Sequence, residues 1–284
     1  MVREIRVTVV DNDAVGMGIS GLLAEHGVSF YIEAKGREGQ TKILVDTGTS
    51  QQVILHNLET MEIDIKNLDV IVLSHGHYDH TGGLLGILKS VKRRIPVIAH
   101  PKIFAPKFSS KSRLVYTGPP YSPEDVEREG GVLLLARNSV EITKGVVTSG
   151  EIERIVPYER VEGFSVVENG EFLADSMPDD QALFINLEGK GLVIVTGCAH
   201  SGLINTIHYA QKLTGIDRIY AVIGGFHLIK ASTNRINKTI EELEKIDLAL
   251  LAPCHCTGTK ATFRFLETFK EKCKPIVVGD KLKL

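Results

Sequence analysis

The chain is poor in several things at once. Among its 284 residues there is no tryptophan, aromatics make up only 6%, and no apolar run exceeds five residues. A membrane-spanning helix needs about 20 consecutive apolar residues, so none is expected. An excess of either charge is also missing: 33 Lys and Arg oppose 35 Asp and Glu, for a net charge of −2. A nucleic-acid-binding domain would normally be strongly basic, so that class is set aside. Arg3, Glu4 and Arg6 stand where a secretory signal would need an apolar segment. Cysteine is scarce and confined to the last third, as Cys198, Cys254, Cys256 and Cys273. That pattern excludes the disulfide framework of a small secreted domain and points to a reduced, cytoplasmic setting. The spacings of 56, 2 and 17 residues also lack the tight repeat of an iron–sulfur ligand set.

What remains is ordinary globular composition, with 43% apolar and 24% charged residues. A chain of this length hides roughly three quarters of its unfolded surface and needs no metal merely to fold. We expect one domain over residues 1–284, without repeats or low-complexity tracts. The first hundred residues read as strand-rich: a strand at 4–10, a hairpin of 28–34 with 42–46, a buried strand at 69–73 and a short one at 96–99. A helix is expected over 81–90, with Thr81 as its N-cap. The stretch 101–180 holds five prolines between 101 and 123 and then short strand-like pieces, which suggests a lid or insertion. The last third alternates. Strands at 183–187, 192–196, 218–223, 248–252 and 275–278 are separated by helices at 202–214, 234–246 and 260–271, whose apolar residues recur at helical spacing. A layered α/β fold with helices outside the sheets follows.

Histidine is unevenly placed. Ten occur, three of them between 75 and 80, and none between 101 and 199. The strand at 69–73 runs into Ser74-His75-Gly76-His77-Tyr78-Asp79-His80, with three histidines and an aspartate in six residues. Imidazole and carboxylate are leading ligands of zinc and iron, and a loop held by a buried strand can aim several at one centre. Asp46 also follows a strand. Cys198 and His200 lie between a strand and a helix, and His255 follows Pro253-Cys254 at another strand end. Cys198 reads either as a ligand or as a small buried apolar residue. Cys254 and Cys256 are expected to point away from His255. His227 follows the strand at 218–223 and reads as an acid or base, a ligand, or a packed loop residue. His26, His56 and His208 belong to no motif and read as surface or helix-face residues, and His100 as a turn residue.

The His-x-His-x-Asp-His segment resembles the signature of the metallo-β-lactamase superfamily. That resemblance implies an αββα sandwich of two mixed β-sheets with helices on the outer faces, and a site for one or two divalent metals, zinc first, with manganese and iron as alternatives. His75 and His77 would serve one metal, Asp79 and His80 the other, with Asp79 also orienting the nucleophile. Cys198 stands where the superfamily usually has a bridging aspartate. His255 would complete the second site, and Asp46 would brace it from behind. The superfamily's further histidine is missing, and Glu151 and His200 are the two candidates to replace it. The segments Ser149-Gly150-Glu151-Ile152, Asp179-Asp180-Gln181-Ala182-Leu183, Gly197-Cys198-Ala199-His200, Gly224-Gly225-Phe226-His227 and His255-Cys256-Thr257-Gly258 resemble the dihydropteroate-synthase-like branch. This implies a hydrolase or transferase acting on an anionic, phosphorylated or pterin-type small molecule, with Glu151, Asp180 and Gln181 as candidate substrate contacts and His227 as a candidate catalytic group. Two other readings stand beside it: a non-catalytic metal-binding or ligand-sensing protein, and a di-iron redox protein. No nucleic-acid or membrane partner is expected, and a homodimer is left open.

Overall fold

The computed structural model describes residues 1–17, 20–109 and 113–284. Its architecture is an αββα sandwich. One layer has the strand order Leu250–Cys254, Ile219–Gly225, Gly191–Thr196, Ala182–Leu187. The other runs Val2–Asp11, Ser29–Gly36, Gln40–Val45, Val70–Val72, Ile95–Ala99, Gly131–Leu135. The layers are joined by a single parallel bridge between Val2 and Leu187.

Burial explains why the strands read as apolar runs rather than clean alternations. Ile43 and Val45 face the space between the layers, together with Val193 and Val195. Leu44 instead packs under the helices Gln51–Thr60 and Leu84–Val91 with Ile54, Leu58 and Ile87. Ile194 packs under the opposite helices with Ile207, Ile240 and Phe265. A strand covered on both faces has no solvent side to carry polar residues.

Three local expectations change. The helix predicted at 81–90 is two helices, Tyr78–Thr81 and Leu84–Val91. Thr81 does not cap one from its N-terminus; its hydroxyl donates to His77 O (2.9 Å) at the end of the first. The segment 275–278 is not a strand; the last strand is Lys281–Lys283, antiparallel to Val2–Asp11. The stretch 101–180 divides between both layers and a small sheet. Gly131–Leu135 ends one layer and Val146–Thr148 pairs with Ala182–Leu187 of the other, while Lys107–Ser109, Val115–Tyr116, Phe164–Glu168 and Glu171–Ala174 form a separate four-stranded sheet. Among the described residues, no helix is long and apolar enough to cross a membrane.

Strand direction positions the site. Gln40–Val45, Val70–Val72 and Ile95–Ala99 are mutually parallel, and so are Gly191–Thr196, Ile219–Gly225 and Leu250–Cys254. Their carboxyl ends carry Asp46, the 75–80 loop, Cys198, His227 and His255. The carboxyl edge of parallel strands is where open α/β sheets bind ligands. Asp46, Ala199, His227 and His255 all have φ between 45° and 58°. Such strain in non-glycine residues persists where the surroundings hold it, and it gathers at functional sites.

Candidate metal centre

The 75–80 loop is fixed from below by Asp46. Its two carboxylate oxygens accept Ser74 N and Ser74 Oγ, each at 2.7 Å, and Oδ2 also meets His80 Nδ1 at 2.7 Å. Asp46 is fully buried and so is His80. The Nδ1–H of His80 therefore donates to the carboxylate, which leaves Nε2 as a lone pair 3.1 Å from Cys198 Sγ. Ser74 Oγ spends its proton on Asp46 and accepts from His75 Nδ1 at 3.0 Å. His75 Nε2 is then free to ligate, 2.9 Å from His77 Nδ1. A carboxylate or hydroxyl behind an imidazole fixes its tautomer and orientation, the usual support of a metal-binding histidine. Gly197 allows the close packing: a Cβ there would lie 2.2 Å from Ser74 Oγ.

His200 comes to stand beside His75 and His77. Ligand atoms of His75, His77 and His200 lie within 4.8 Å of one another. Both ring nitrogens of His200 are buried without a hydrogen-bond partner, as are His77 Nε2, His227 Nδ1 and His255 Nε2. Orphaned buried nitrogens converging on one space fit a cation. Burial holds His75 and His200 well below the usual imidazole range and pushes His77 down to about 3. All three are neutral at ordinary pH, the form that ligates.

A second set lies alongside. Asp79 Oδ2 is 3.8 Å from His80 Nε2 and 3.5 Å from His255 Nε2. Burial alone would raise Asp79, but His80 and His255 hold it well below the usual carboxylate range. These residues, with Cys198, have the donor chemistry of a mixed nitrogen, oxygen and sulfur site.

Several residues lie elsewhere than expected. Glu151 is not beside the histidines; it pairs with Arg137 at 2.8 Å and lies 3.9 Å from His100. Asp180 and Gln181 are buried and braced rather than open to a ligand. Asp180 accepts Ser201 N at 2.7 Å, and Gln181 Nε2 donates to Leu73 O at 2.9 Å. None of the three lines the cleft above the histidines. His100 opens a turn, its carbonyl accepting Ile103 N at 3.0 Å, but its side chain is buried. Cys256 faces the site, against expectation, with its Sγ within 4.8 Å of Cys198 and His255 ligand atoms. The left-handed backbone at His255 and the tight turn after it bring consecutive side chains to one side, as a strand would not.

Asp13 was missed, and His26, exposed as expected, also reaches the edge of the site. Asp13 Oδ2 meets His255 Nδ1 at 2.6 Å, and its Oδ1 meets His26 Nδ1 at 2.6 Å. His26 Nε2 then lies 3.4 Å from Asp79 Oδ2. Burial opposes it, but the two imidazoles hold Asp13 well below the usual carboxylate range. Asp13 ends the first strand region, so the strand-end logic that found Asp46 would have found it. His26 sits in a loop with no local signal. We expect Asp13→Asn to weaken metal binding by roughly 10–100-fold, measured by competition with a chromophoric chelator. Unchanged affinity would show that Asp13 does not orient His255.

The small sheet is tied to the same loop. Lys107 Nζ is buried between Asp175 Oδ2 (3.0 Å) and Asp179 Oδ1 (2.9 Å). Asp179 Oδ2 accepts the Gly76 N–H, between His75 and His77, at 2.8 Å. The cleft above has a volume of about 430 Å³ and is walled by Tyr78, Phe164, Ile229, Lys230 and His227 around the metal-site residues. Its size is that of an ordinary small-molecule site.

The Metallo-beta-lactamase superfamily model matches residues 24–150, which include Asp46 and the 75–80 loop. A 7,8-dihydropterin-6-methyl-4-(beta-D-ribofuranosyl)-aminobenzene-5'-phosphate synthase of Methanocaldococcus jannaschii is 38% identical over 99% of this chain and 97% of its own. The crystal structure of a metal-dependent hydrolase of the beta-lactamase superfamily covers 99% of both chains at 30% identity, with a TM-score of 0.81. A metallo-beta-lactamase fold protein of Bacillus subtilis matches at 12% identity and a TM-score of 0.60, covering 99% of this chain and all of its own, and shows the fold alone. With the fold, the histidine loop and relatives along nearly the whole length in agreement, the chain belongs to the metallo-beta-lactamase superfamily.

Proposed function

We propose that the chain is a metal-dependent enzyme of the pterin-synthase-like branch, joining a phosphorylated or pterin-type small molecule to a second substrate by group transfer. The observation that carries this reading is the convergence of His75, His77, His200, Asp79, His80, Cys198 and His255 beneath one cleft. His75, His77 and His200 would hold one ion. Asp79, His80, Cys198 and His255 would hold another, with zinc, manganese or iron as candidates. A divalent ion held there supplies Lewis acidity toward an anionic leaving group.

The remaining chemistry falls to the chain's own residues. Lys230 at the cleft wall offers a positive charge to a phosphate. Tyr78 and Phe164 offer faces for a flat heterocycle. His227 presents a buried Nδ1 without a partner, and its ring centroid is 4.0 Å from that of His200. In this reading it gives a proton to a leaving oxygen or takes one from the attacking group. Asp79 stays ionised and orients the attacking group.

The test is metal analysis of the reconstituted chain together with a turnover screen. Pterin pyrophosphates with an aromatic amine or arene acceptor are compared with lactones and phosphodiesters in water. Acceptor-dependent release of pyrophosphate supports the proposal. Hydrolysis without an acceptor replaces transfer by hydrolysis, and less than ~0.2 metal per chain sinks the metal-dependent reading.

A further inference from the structure

We propose that Cys256 is a second sulfur ligand of the metal centre, so that the site carries two thiolates. This rests on the metal-dependent reading above and sharpens the class of ion. Three observations point to it.

The first is convergence. Cys198 Sγ, a His255 ring nitrogen and Cys256 Sγ all lie within 4.8 Å of one another. Donors around one tetrahedral ion sit about 3.5 Å apart, given metal–sulfur bonds near 2.3 Å and metal–nitrogen bonds near 2.0 Å. The His255 side chain is fully enclosed, and its Nε2 makes no hydrogen bond, with Asp79 Oδ2 at 3.5 Å.

The second is the surroundings of the sulfur. Cys256 Sγ accepts the His227 backbone N–H at 3.2 Å. That donor holds the sulfur beside Cys198, whose carbonyl oxygen lies 3.7 Å from it. Room for that sulfur is left by Gly225, where a Cβ would stand only 2.8 Å from it.

The third is an internal contrast among the four cysteines. Cys254 packs in the cluster between the two layers, and Cys273 packs in the cluster under the outer helices. These two behave as small apolar residues. Cys198 and Cys256 belong to neither cluster, and both line the cleft. Two thiolates favour softer ions such as zinc and iron(II), with cobalt(II) and cadmium as probes, over magnesium or manganese.

Cobalt(II) loading of the reduced apo chain reads this directly, because each cobalt–thiolate bond contributes near-ultraviolet charge-transfer absorption. We expect Cys256→Ser to lose about half of that band at equal cobalt content, Cys198→Ser a similar share, and Cys254→Ser none. A full band in Cys256→Ser, with the band lost in Cys198→Ser, overturns the proposal while leaving the metal centre standing. A wild-type chain that binds no cobalt overturns the metal-dependent reading itself. If Cys256→Ser fails to match the apo wild type in circular dichroism, the wild-type chain decides. Alkylation with and without cadmium, followed by peptide mass analysis, should show both Cys198 and Cys256 shielded by the ion. Shielding of Cys198 alone counts against Cys256.

Discussion

Replacing His75 with alanine is expected to abolish turnover and to weaken metal binding beyond the roughly 10–100-fold that the loss of an outer partner costs. The ring has no exposure to solvent and sits at the centre of the histidine group. Its Nδ1 is tied to Ser74 Oγ, and its Nε2 faces His77 Nδ1 at 2.9 Å. Ring centroids of His80 and His200 lie 4.1 and 4.7 Å away. Removing it takes away a donor and leaves a hole that water can enter. Metal content by plasma emission and turnover of the active substrate check this together. Retention of full metal content and rate would remove His75 from the site, and with it the assignment of the His75, His77 and His200 group.

Lys107→Met should have the largest effect on stability. The lysine is 1% exposed and faces two carboxylates that are themselves buried. Burial alone would favour a neutral amine, but Asp179 and Asp175 hold its pKa above the usual lysine value. Methionine keeps most of the volume and leaves two carboxylates buried without their cation. Breaking a buried pair on one side costs about 3–5 kcal/mol. For a chain of this size that corresponds to roughly 5–8 °C in Tm. Metal affinity should fall as well, because Asp179 also holds the Gly76 N–H within the histidine loop. Calorimetry of the apo chain is the check. A Tm within ~2 °C of wild type would mean that the small sheet is not anchored through this lysine.

Much of the candidate site could be read before any coordinates because its donor residues fall in short motifs at strand ends. His75, His77, Asp79 and His80 fall in one loop after an apolar strand, and Cys198, His200, His227 and His255 each follow a later strand. The layered fold was legible for a related reason: apolar spacing reports which face of an element is covered. Residues whose role depends on a neighbour distant in the chain were not legible. Glu151 occupied the expected place of the absent histidine but turns to Arg137. Asp180 and Gln181 sit in a motif, yet their bonds go to Ser201 and Leu73. His26 and Asp13 come together with His255 across more than 200 residues, and no spacing records that. Cys256 follows a residue with left-handed backbone, so its direction could not be inferred from alternation along a strand.

The opening absences therefore keep their meaning in part. Lack of long apolar runs, of charge excess and of a cysteine framework left ordinary globular composition, in which scarce cysteines and uneven histidines stand out. The resemblance of the 75–80 loop to a known signature pointed to the superfamily and to that loop as the place to look for a metal centre. Which donors share that centre was decided only by tertiary structure. The parallel strands of two layers end at one edge, and there His200 comes beside His75 and His77, Asp13 reaches His255, and Cys256 turns inward. Local sequence encodes covered faces and loop chemistry, while convergence of distant strand ends depends on how the layers pack.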